Sequence, residues 1–219
     1  MERKAEAELM DLDAEVDAYV RGDFSSVNQA FAERLIQICG PIDRALAVDL
    51  GTGPADIPIR VWKLRPNWRI VAVDASTPML ASGRPAVDAA GASAAIELKL
   101  ADAKDTGLPA ANFDVIFSNS ILHHVSSAAA FWKEVRRLVK TGGVIFLRDL
   151  ARPESESRAR ALVGQHAGNE NALLKEEFYR SLLSAYTVDE VKTQLRAAGL
   201  QKLSVETSSD RHLDVFGIV

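Results

Sequence analysis

Two glycines and the acidic residues around them carry the clearest chemical signal in this chain of 219 residues. Gly51 and Gly53 follow an apolar run, 45–48, and Asp74 ends the next apolar run, 69–73. The glycines let a ligand approach the backbone, and the Asp74 carboxylate can accept hydrogen bonds from both hydroxyls of a ribose. A strand, a glycine turn, a helix and an acid at the next strand tip predict one nucleoside half-site of a doubly wound α/β sheet.

The turn also indicates which kind of nucleoside it binds. Dinucleotide enzymes carry a third glycine, at the position of Asp56 in this chain, and rest a pyrophosphate on the helix that follows. A carboxylate at that position would repel a pyrophosphate, and Asp49 adds a second negative charge beside the turn. This acidic loop favours S-adenosylmethionine, which has a ribose, an adenine, a sulfonium and an ammonium but no phosphate.

Short motifs follow one another between about residues 40 and 150. They are residues 49–55, 73–80, 100–103, 113–120, 121–125 and 140–147. In this order and spacing the chain resembles the class I S-adenosylmethionine-dependent methyltransferases, with Ala55 where the first motif of that family has its last glycine. The resemblance implies a doubly wound, mostly parallel seven-stranded sheet of the Rossmann-like methyltransferase type, and S-adenosylmethionine as cofactor.

The resemblance also implies a set of cofactor-binding residues. Asp74 would bind the ribose, Asp102 and the Ala103 backbone would meet the adenine, and Asp49 would lie near the methionine ammonium. Each has a structural alternative: Asp74 could cap a helix, Asp102 could form a turn, and Asp49 could hold the glycine turn. The predicted cofactor-binding residues are Asp49, Gly51, Thr52, Gly53, Ala55, Asp74, Ala75, Met79, Asp102, Ala103, Asn119, Ser120 and His124.

His123 and His124 follow the fourth predicted strand. Adjacent histidines on a turn point in different directions, so we predict no shared metal ion without further ligands. A histidine with a pKa near neutral can act as a general base, and we predict this role for His123. Asp149, at the end of the fifth strand, is the second predicted catalytic residue, because it could orient a nucleophile. A structural role for His123 is the alternative.

Several polar and aromatic residues outside the motifs are candidates for binding the acceptor. Arg148 could hold an anionic substrate, with a surface ion pair as the alternative. An aromatic ring near a sulfonium gains cation–π attraction, which adds aromatic residues of the terminal and cap segments. The predicted substrate-binding residues are Tyr19, Phe24, Asn28, Arg148, Tyr179, Arg211 and His212.

Composition narrows the class of protein. The formal net charge of −4 argues against a nucleic-acid partner, and the 47% apolar content supports a full core. The single cysteine, Cys39, excludes an intrachain disulfide and a multi-cysteine metal site, and its apolar surroundings predict a buried side chain. The charged N-terminus and the lack of a long apolar run predict a cytoplasmic protein without a membrane partner. The sequence does not indicate the oligomeric state.

We predict a single methyltransferase domain over residues 1–219. Residues 1–40 would form lid helices, one amphipathic over 2–21 and a second, capped by Ser25 or Ser26, to about Cys39. Residues 41–150 would form the cofactor-binding core, and the polar, mostly helical segment 151–186 a cap over the ligand edge. Residues 187–219 would add a helix, started by a capping box at Thr187, and an antiparallel strand pair.

The predicted activity is transfer of a methyl group to a small-molecule acceptor by in-line displacement. The segment 118–120 is not the Asn/Asp-Pro-Pro-aromatic motif of enzymes that methylate adenine or glutamine nitrogen. The sequence leaves two alternatives, a nicotinamide-dependent oxidoreductase and a non-catalytic protein that binds S-adenosylmethionine. It does not name the acceptor or its methylated atom.

Overall fold

The computed structural model describes residues 1–6, 16, 19–20 and 22–219. Its strands are β1 (Leu46–Leu50), β2 (Arg69–Asp74), β3 (Ile96–Leu100), β4 (Phe113–Asn119), β5 (Val139–Leu150), β6 (Ser204–Thr207) and β7 (His212–Ile218). Its helices from residue 22 onward are α1 (Ser25–Cys39), α2 (Asp56–Leu64), α3 (Thr77–Ala89), α4 (Ala128–Leu138), α5 (Glu156–His166), α6 (Ala172–Ser184) and α7 (Val188–Ala197).

The strands form one sheet in the order β3-β2-β1-β4-β5-β7-β6. All neighbours from β3 to β5 are parallel, and β7 is antiparallel to both β5 and β6. This arrangement confirms the predicted doubly wound, mostly parallel seven-stranded sheet. The direction of winding reverses between β1 and β4, and ligands of such sheets lie outside the carboxyl ends of the strands at that point. The glycine turn after β1 and the motif after β4 therefore face the same crevice.

Apolar side chains alternate between the two faces of the sheet. Val48 and Leu50 of β1 pack in the cluster that includes α4 and α7, whereas Ala47 packs in the cluster that includes α1, α2 and α3. The same alternation in β5 directs Leu147 to the first face and Phe146 to the second. Buried side chains of both faces are apolar, which explains why the strands read as nearly continuous hydrophobic runs.

Two predictions for the N-terminal region need correction. Residues 1–6 form no helix; the backbone N–H of Lys4 instead donates to the Leu183 carbonyl at 3.0 Å, which ties this segment to α6. The rest of the predicted first helix lies largely outside the described residues. Neither Ser25 nor Ser26 caps α1, because the helix begins at Ser25 with Phe24 as its N-cap. Cys39 is buried, as predicted.

The last third of the chain follows the prediction closely. The capping box of Thr187 and Glu190 opens α7, and β6 pairs with β7 in antiparallel fashion. Between β5 and α7, α5 and α6 pack through their own small apolar cluster, which includes Leu162 and Leu182. In the part of the chain that the structure describes, no helix has the length and apolar character needed to cross a membrane.

One glycine in α3 holds the glycine turn in place. A Cβ atom at Gly83 would lie 2.8 Å from the Pro54 carbonyl oxygen, so α3 can pass beneath the turn only because this side chain is missing. A glycine inside a helix usually lowers stability. The sequence alone does not show that Gly83 is needed for this close approach.

We expect Gly83→Ala to lower the free energy of unfolding by about 1–3 kcal/mol through overpacking. Gly164→Ala is the matched control, because that glycine is also helical and a Cβ there meets no atom within 4 Å. Alanine in an open helical site should instead raise stability by about 0.5–1 kcal/mol. Urea denaturation measures both, and two variants of equal stability would show that α3 does not press on the turn.

Candidate functional site

The glycine turn is fastened to the end of β2. The backbone N–H groups of Gly51 and Thr52 both donate to the Val73 carbonyl, at 2.8 and 2.9 Å. The Gly53 N–H donates to Asp74 Oδ2 at 2.7 Å. These bonds bring the first two motifs of the sequence together and fix the path of the turn.

The turn needs left-handed backbone at alternate residues. Gly51, Gly53 and Ala55 have φ values of 77°, 55° and 62°. A Cβ at Gly51 would lie 2.5 Å from the Ile121 side chain, so protein packing alone already requires a glycine there. At Gly53 the nearest atom would be 4.0 Å away, on Tyr19, which leaves the backbone open to a ligand. Ala55 is the N-cap of α2 and pays the steric cost of this conformation, about 1–2 kcal/mol.

Asp49 is a buried carboxyl group with an unsatisfied oxygen. The residue is 1% exposed, and its Oδ2 atom has no hydrogen-bond partner among the described residues; the same is true of the buried Thr52 Oγ1. Burial raises the pKa of Asp49 to about 7; the neighbouring Thr52 hydroxyl opposes this rise, and the negative charge of Asp74 adds to it. A cationic or hydrogen-bond-donating ligand would relieve this cost.

The other two acids bind protein groups in this structure. Asp74 accepts from the backbone N–H groups of Gly53 and Ser76, through different oxygens, at 2.7 and 2.9 Å. Asp102 accepts from the Lys104 N–H at 2.8 Å and forms an ion pair with the Lys104 ammonium at 3.0 Å. These are the contacts that the structural alternatives for Asp74 and Asp102 predict.

Residues near the N-terminus close one side of the turn. Tyr19 stacks on Phe24 with ring centroids 4.8 Å apart. Burial raises the pKa of Tyr19 to about 12, with further contributions from Asp74, Asp56 and Asp49. Asn28, on α1, donates to Asp56 at 2.9 Å. The structure therefore brings these three predicted substrate-binding residues to the acidic loop itself.

A second group of polar residues lies at the ends of β4 and β5. His123 Nδ1 and Asp149 Oδ1 are 2.5 Å apart, and both residues are buried. Asp149 Oδ2 accepts from the Leu122 N–H at 2.6 Å, which fixes the carboxylate relative to the histidine turn. Burial alone would lower the pKa of His123, but the Asp149 carboxylate and then Glu6 outweigh it, so this pKa lies above its ordinary value.

Glu6 joins this group from the N-terminal segment. Its Oε1 atom lies 3.0 Å from His124 Nδ1 and 3.7 Å from His123 Nε2. The hydroxyl of Ser184 donates to the same carboxylate at 3.1 Å. The sequence carries no signal for Glu6, because this residue belongs to a run of charged residues without a motif.

The remaining candidates engage other partners. Arg148 forms two hydrogen bonds of 2.7 Å with Asp214 on the opposite face of the sheet from Asp149. Tyr179 donates to Glu156 within the segment 151–186, and Arg211 contacts His166 and Asp210. His212 pairs with Leu150 in the sheet, and burial lowers its pKa to about 4. No contact described here joins Tyr179 or Arg211 to the His123–Asp149 pair.

Asn119, Ser120, Ala75 and Ala103 lie at or just beyond strand ends, and Met79 lies in the first turn of α3. Ser120 has a φ of 57°, an uncommon value for a residue with a side chain, and its N–H donates to the Arg148 carbonyl at 2.8 Å. Met79 and Ala103 are buried and take part in packing. Strained backbone of this kind clusters at ligand sites.

Residues 48–147 match the methyltransferase domain family. This region runs from β1 to β5 and contains the glycine turn, Asp74, Asp102 and the two histidines. Residues 48–147 therefore form a domain of the class I S-adenosylmethionine-dependent methyltransferase type.

Individual relatives match a smaller share of their own length. A trans-aconitate 2-methyltransferase from Azoarcus sp. (strain BH72) is 33% identical over 106 residues, which are 48% of this chain and 39% of that protein. A demethylmenaquinone methyltransferase from Roseiflexus castenholzii is 29% identical over 118 residues, 54% of this chain and 48% of that protein. The matched parts thus span less than half of each curated relative.

A solved structure extends the likeness of fold over nearly the whole chain. The S-adenosylmethionine-dependent methyltransferase from Aquifex aeolicus superposes with a TM-score of 0.70 at 18% identity and covers 94% of this chain and 98% of that chain. At this level of identity the likeness shows the fold alone.

The residues of the glycine turn fit S-adenosylmethionine. S-adenosylmethionine carries an ammonium group, and the buried Asp49 Oδ2 and Thr52 Oγ1 atoms are oxygens without partners among the described residues. The open backbone at Gly53 and the Asp74 carboxylate lie on the same turn. A phosphate-bearing cofactor would instead meet three carboxyl groups, those of Asp49, Asp56 and Asp74.

We expect Asp49→Asn to stabilise the chain without cofactor, and to do so more strongly at high pH. The pKa of Asp49 is raised from 3.8 to about 7. Above pH 3.8, folding must therefore either protonate this carboxylate or bury it in charged form, and both cost free energy. The advantage of the neutral amide therefore grows between these values, and should be roughly 2 kcal/mol larger near pH 8 than near pH 5.5.

Thermal or urea unfolding at the two pH values measures this difference. Asp43→Asn is the control, because Asp43 is exposed and its substitution should have the same small effect at both. An Asp49→Asn effect that does not change with pH would show that this carboxyl group has an ordinary pKa.

Proposed function

We propose that this chain transfers the methyl group of S-adenosylmethionine to a small-molecule acceptor. The observation that carries the proposal is the buried His123–Asp149 pair beside the glycine turn of a methyltransferase fold. The two are adjacent because Ile121, two residues before His123, packs directly against Gly51. An acceptor placed over the turn of residues 121–124 would thus lie between the cofactor loop and a group that can take its proton.

We assign the cofactor contacts as follows. Asp49 and Thr52 bind the methionine end, where the ammonium neutralises a buried carboxylate. Asp74, at the end of β2 beside the glycine turn, binds the ribose. Asp102 and Ala103 meet the adenine. Asn119, Ser120 and His124 border the sulfonium, and Ala75 and Met79 border the nucleoside.

The reaction is a displacement at the methyl carbon. The bond from the methyl carbon to the acceptor forms as the bond to sulfur breaks, and the electron pair of that bond stays on sulfur to give S-adenosylhomocysteine. Since the leaving group is already a neutral thioether, the protein mainly aligns the acceptor and excludes water. The proton of an acidic acceptor passes to His123 Nε2, while Asp149 holds Nδ1.

The small-molecule class of acceptor rests on charge and on the relatives. A net charge of −4 disfavours nucleic acid, and 118–120 lacks the motif for nitrogen of adenine or glutamine. The matched relatives are named for trans-aconitate and demethylmenaquinone, both small molecules. We place the reaction in the cytoplasm, where a free buried thiol such as Cys39 is common.

Release of S-adenosylhomocysteine from a panel of carboxylic acids, quinols, phenols, amines and thiols tests the proposal directly. We expect turnover with at least one of these classes. Silence across the panel, together with tight S-adenosylmethionine binding, would favour the non-catalytic alternative. Tight NADH binding without S-adenosylmethionine binding, measured by calorimetry, would favour the oxidoreductase.

We expect Asp74→Ala to weaken S-adenosylmethionine binding by roughly 1.5–3 kcal/mol, the range for hydrogen bonds to a charged group. Calorimetric titration of the purified protein measures the loss, and Asp43→Ala, an exposed acid outside the site, should bind as the unaltered chain does. Full affinity in Asp74→Ala would mean that the nucleoside lies elsewhere.

We expect His123→Asn to lower kcat by about 10²–10⁴-fold, the usual contribution of a general base, with little change in cofactor affinity. In the unaltered enzyme kcat should rise with pH through a pKa above 6.5, because neighbouring carboxylates hold the imidazole protonated below it. His166→Asn removes a histidine from the surface and is the matched control. An unchanged pH profile in His123→Asn would reduce His123 to a structural role.

A further inference from the structure

Three potential metal ligands converge at the ends of β4 and α6. His123, His124 and Glu6 each offer one ligand atom, and these atoms all lie within 4.8 Å of one another. The two imidazole rings are not directed apart, as adjacent histidines on a turn were expected to be; their centroids are 4.1 Å apart and their planes differ by 38°. The expectation of no metal rested on the lack of a third ligand, which Glu6 supplies.

Two of the three distances between the ligand atoms are close to those within a coordination sphere, and the third is at most 4.8 Å. Two ligand atoms, each about 2.1 Å from an ion and separated by a tetrahedral angle, lie roughly 3.4 Å apart. Glu6 Oε1 is 3.0 Å from His124 Nδ1 and 3.7 Å from His123 Nε2. An ion would therefore need only small side-chain movements to contact all three atoms.

Outer hydrogen bonds already orient two of the three ligands. His123 uses Nδ1 for Asp149, so its Nε2 atom is the one directed to Glu6 and His124. A carboxylate behind a histidine in this way is typical of metal-binding histidines, because it fixes the ring and raises its basicity. Glu6 accepts from the hydroxyl groups of Ser181 and Ser184 at 3.2 and 3.1 Å.

The segment that carries Glu6 is itself anchored. Arg3 donates to the carbonyls of Ser184 and His123, at 2.5 and 3.1 Å, and the Lys4 backbone pairs with Leu183. His124 keeps 21% of its side chain exposed, against 2% for His123, so an ion can reach the cluster from the solvent.

We infer that Glu6, His123 and His124 form a binding site for a divalent transition-metal ion of the Zn²⁺ class. Two imidazoles and one carboxylate suit such ions and disfavour Mg²⁺ and Ca²⁺, which prefer sets of oxygen ligands. Three protein ligands leave at least one coordination position for water or another oxygen ligand. An ion on His123 Nε2 occupies the lone pair that accepts a proton in the proposed reaction, so these are alternative uses of one cluster.

Titration of the purified full chain, without an affinity tag, with Co²⁺ tests the inference. We expect visible absorption bands of bound Co²⁺ that saturate at one ion per chain, are abolished by Zn²⁺ and persist in excess Mg²⁺. The absence of such bands up to Co²⁺ concentrations on the order of 1 mM would overturn the inference. Because the readout is ion binding, a negative result leaves the proposed methyl transfer untouched.

Single substitutions locate the ion. Glu6→Gln and His124→Asn should each weaken Co²⁺ binding at least about 10-fold, the lower limit for loss of even an outer partner. His166→Asn is the matched control, because that imidazole pairs with Asp210 outside the cluster. The affinity of this variant for Co²⁺ should equal that of the unaltered chain. Unchanged affinity in Glu6→Gln, which alters only the N-terminal segment, or a loss in His166→Asn instead, would overturn the assignment. Circular dichroism confirms that each variant is folded.

Discussion

The hydrogen bonds between the glycine turn and the end of β2 hold the candidate cofactor site together. Val73 and Asp74 accept three backbone N–H groups from Gly51, Thr52 and Gly53, which would otherwise be unpaired at the top of the sheet. In return the turn adopts left-handed backbone at several residues, and α3 must come close enough to need Gly83. The first motif thus depends on the second strand as much as on its own residues.

Two buried acids on this sheet show how surroundings decide the use of one functional group. Asp149 accepts from the Leu122 and Leu150 N–H groups and pairs with His123, so its charge is compensated within the protein. Asp49 is equally buried, yet one oxygen lacks a described partner and its pKa is raised. Asp149 thereby orients His123. The buried charge of Asp49 lowers the stability of the fold, and a cationic ligand can offset this loss.

Most of the fold could be predicted because its signals are local and repeated. Apolar runs with acids or glycines at their ends gave the strand positions, and the alternation of strand and helix gave the parallel sheet. The predicted start of α1 and the predicted helix over residues 2–6 were wrong, because tertiary contacts decide both. Phe24 is the N-cap of α1, and the Lys4 backbone pairs with Leu183 of α6. Propensity carries no information about such contacts.

The candidate site divides in the same way. Asp49, Gly53 and Asp74 were accessible to sequence reasoning because motif spacing places them at adjacent strand ends. Their individual ligand contacts stay predictions. Glu6 was not accessible, because it lies more than a hundred positions from His123 and reaches it through contacts of the N-terminal segment with α6, those of Arg3 with Ser184 and of Lys4 with Leu183.

The order of the strands leaves β3 and β6 at the two borders of the sheet. Both are short, and each exposes a charged side chain: Glu97 on β3 and Glu206 on β6. Unpaired strand borders can template the addition of strands from other molecules, and short, charged borders oppose it. The short, charged borders of this sheet thereby oppose its lateral growth into aggregates.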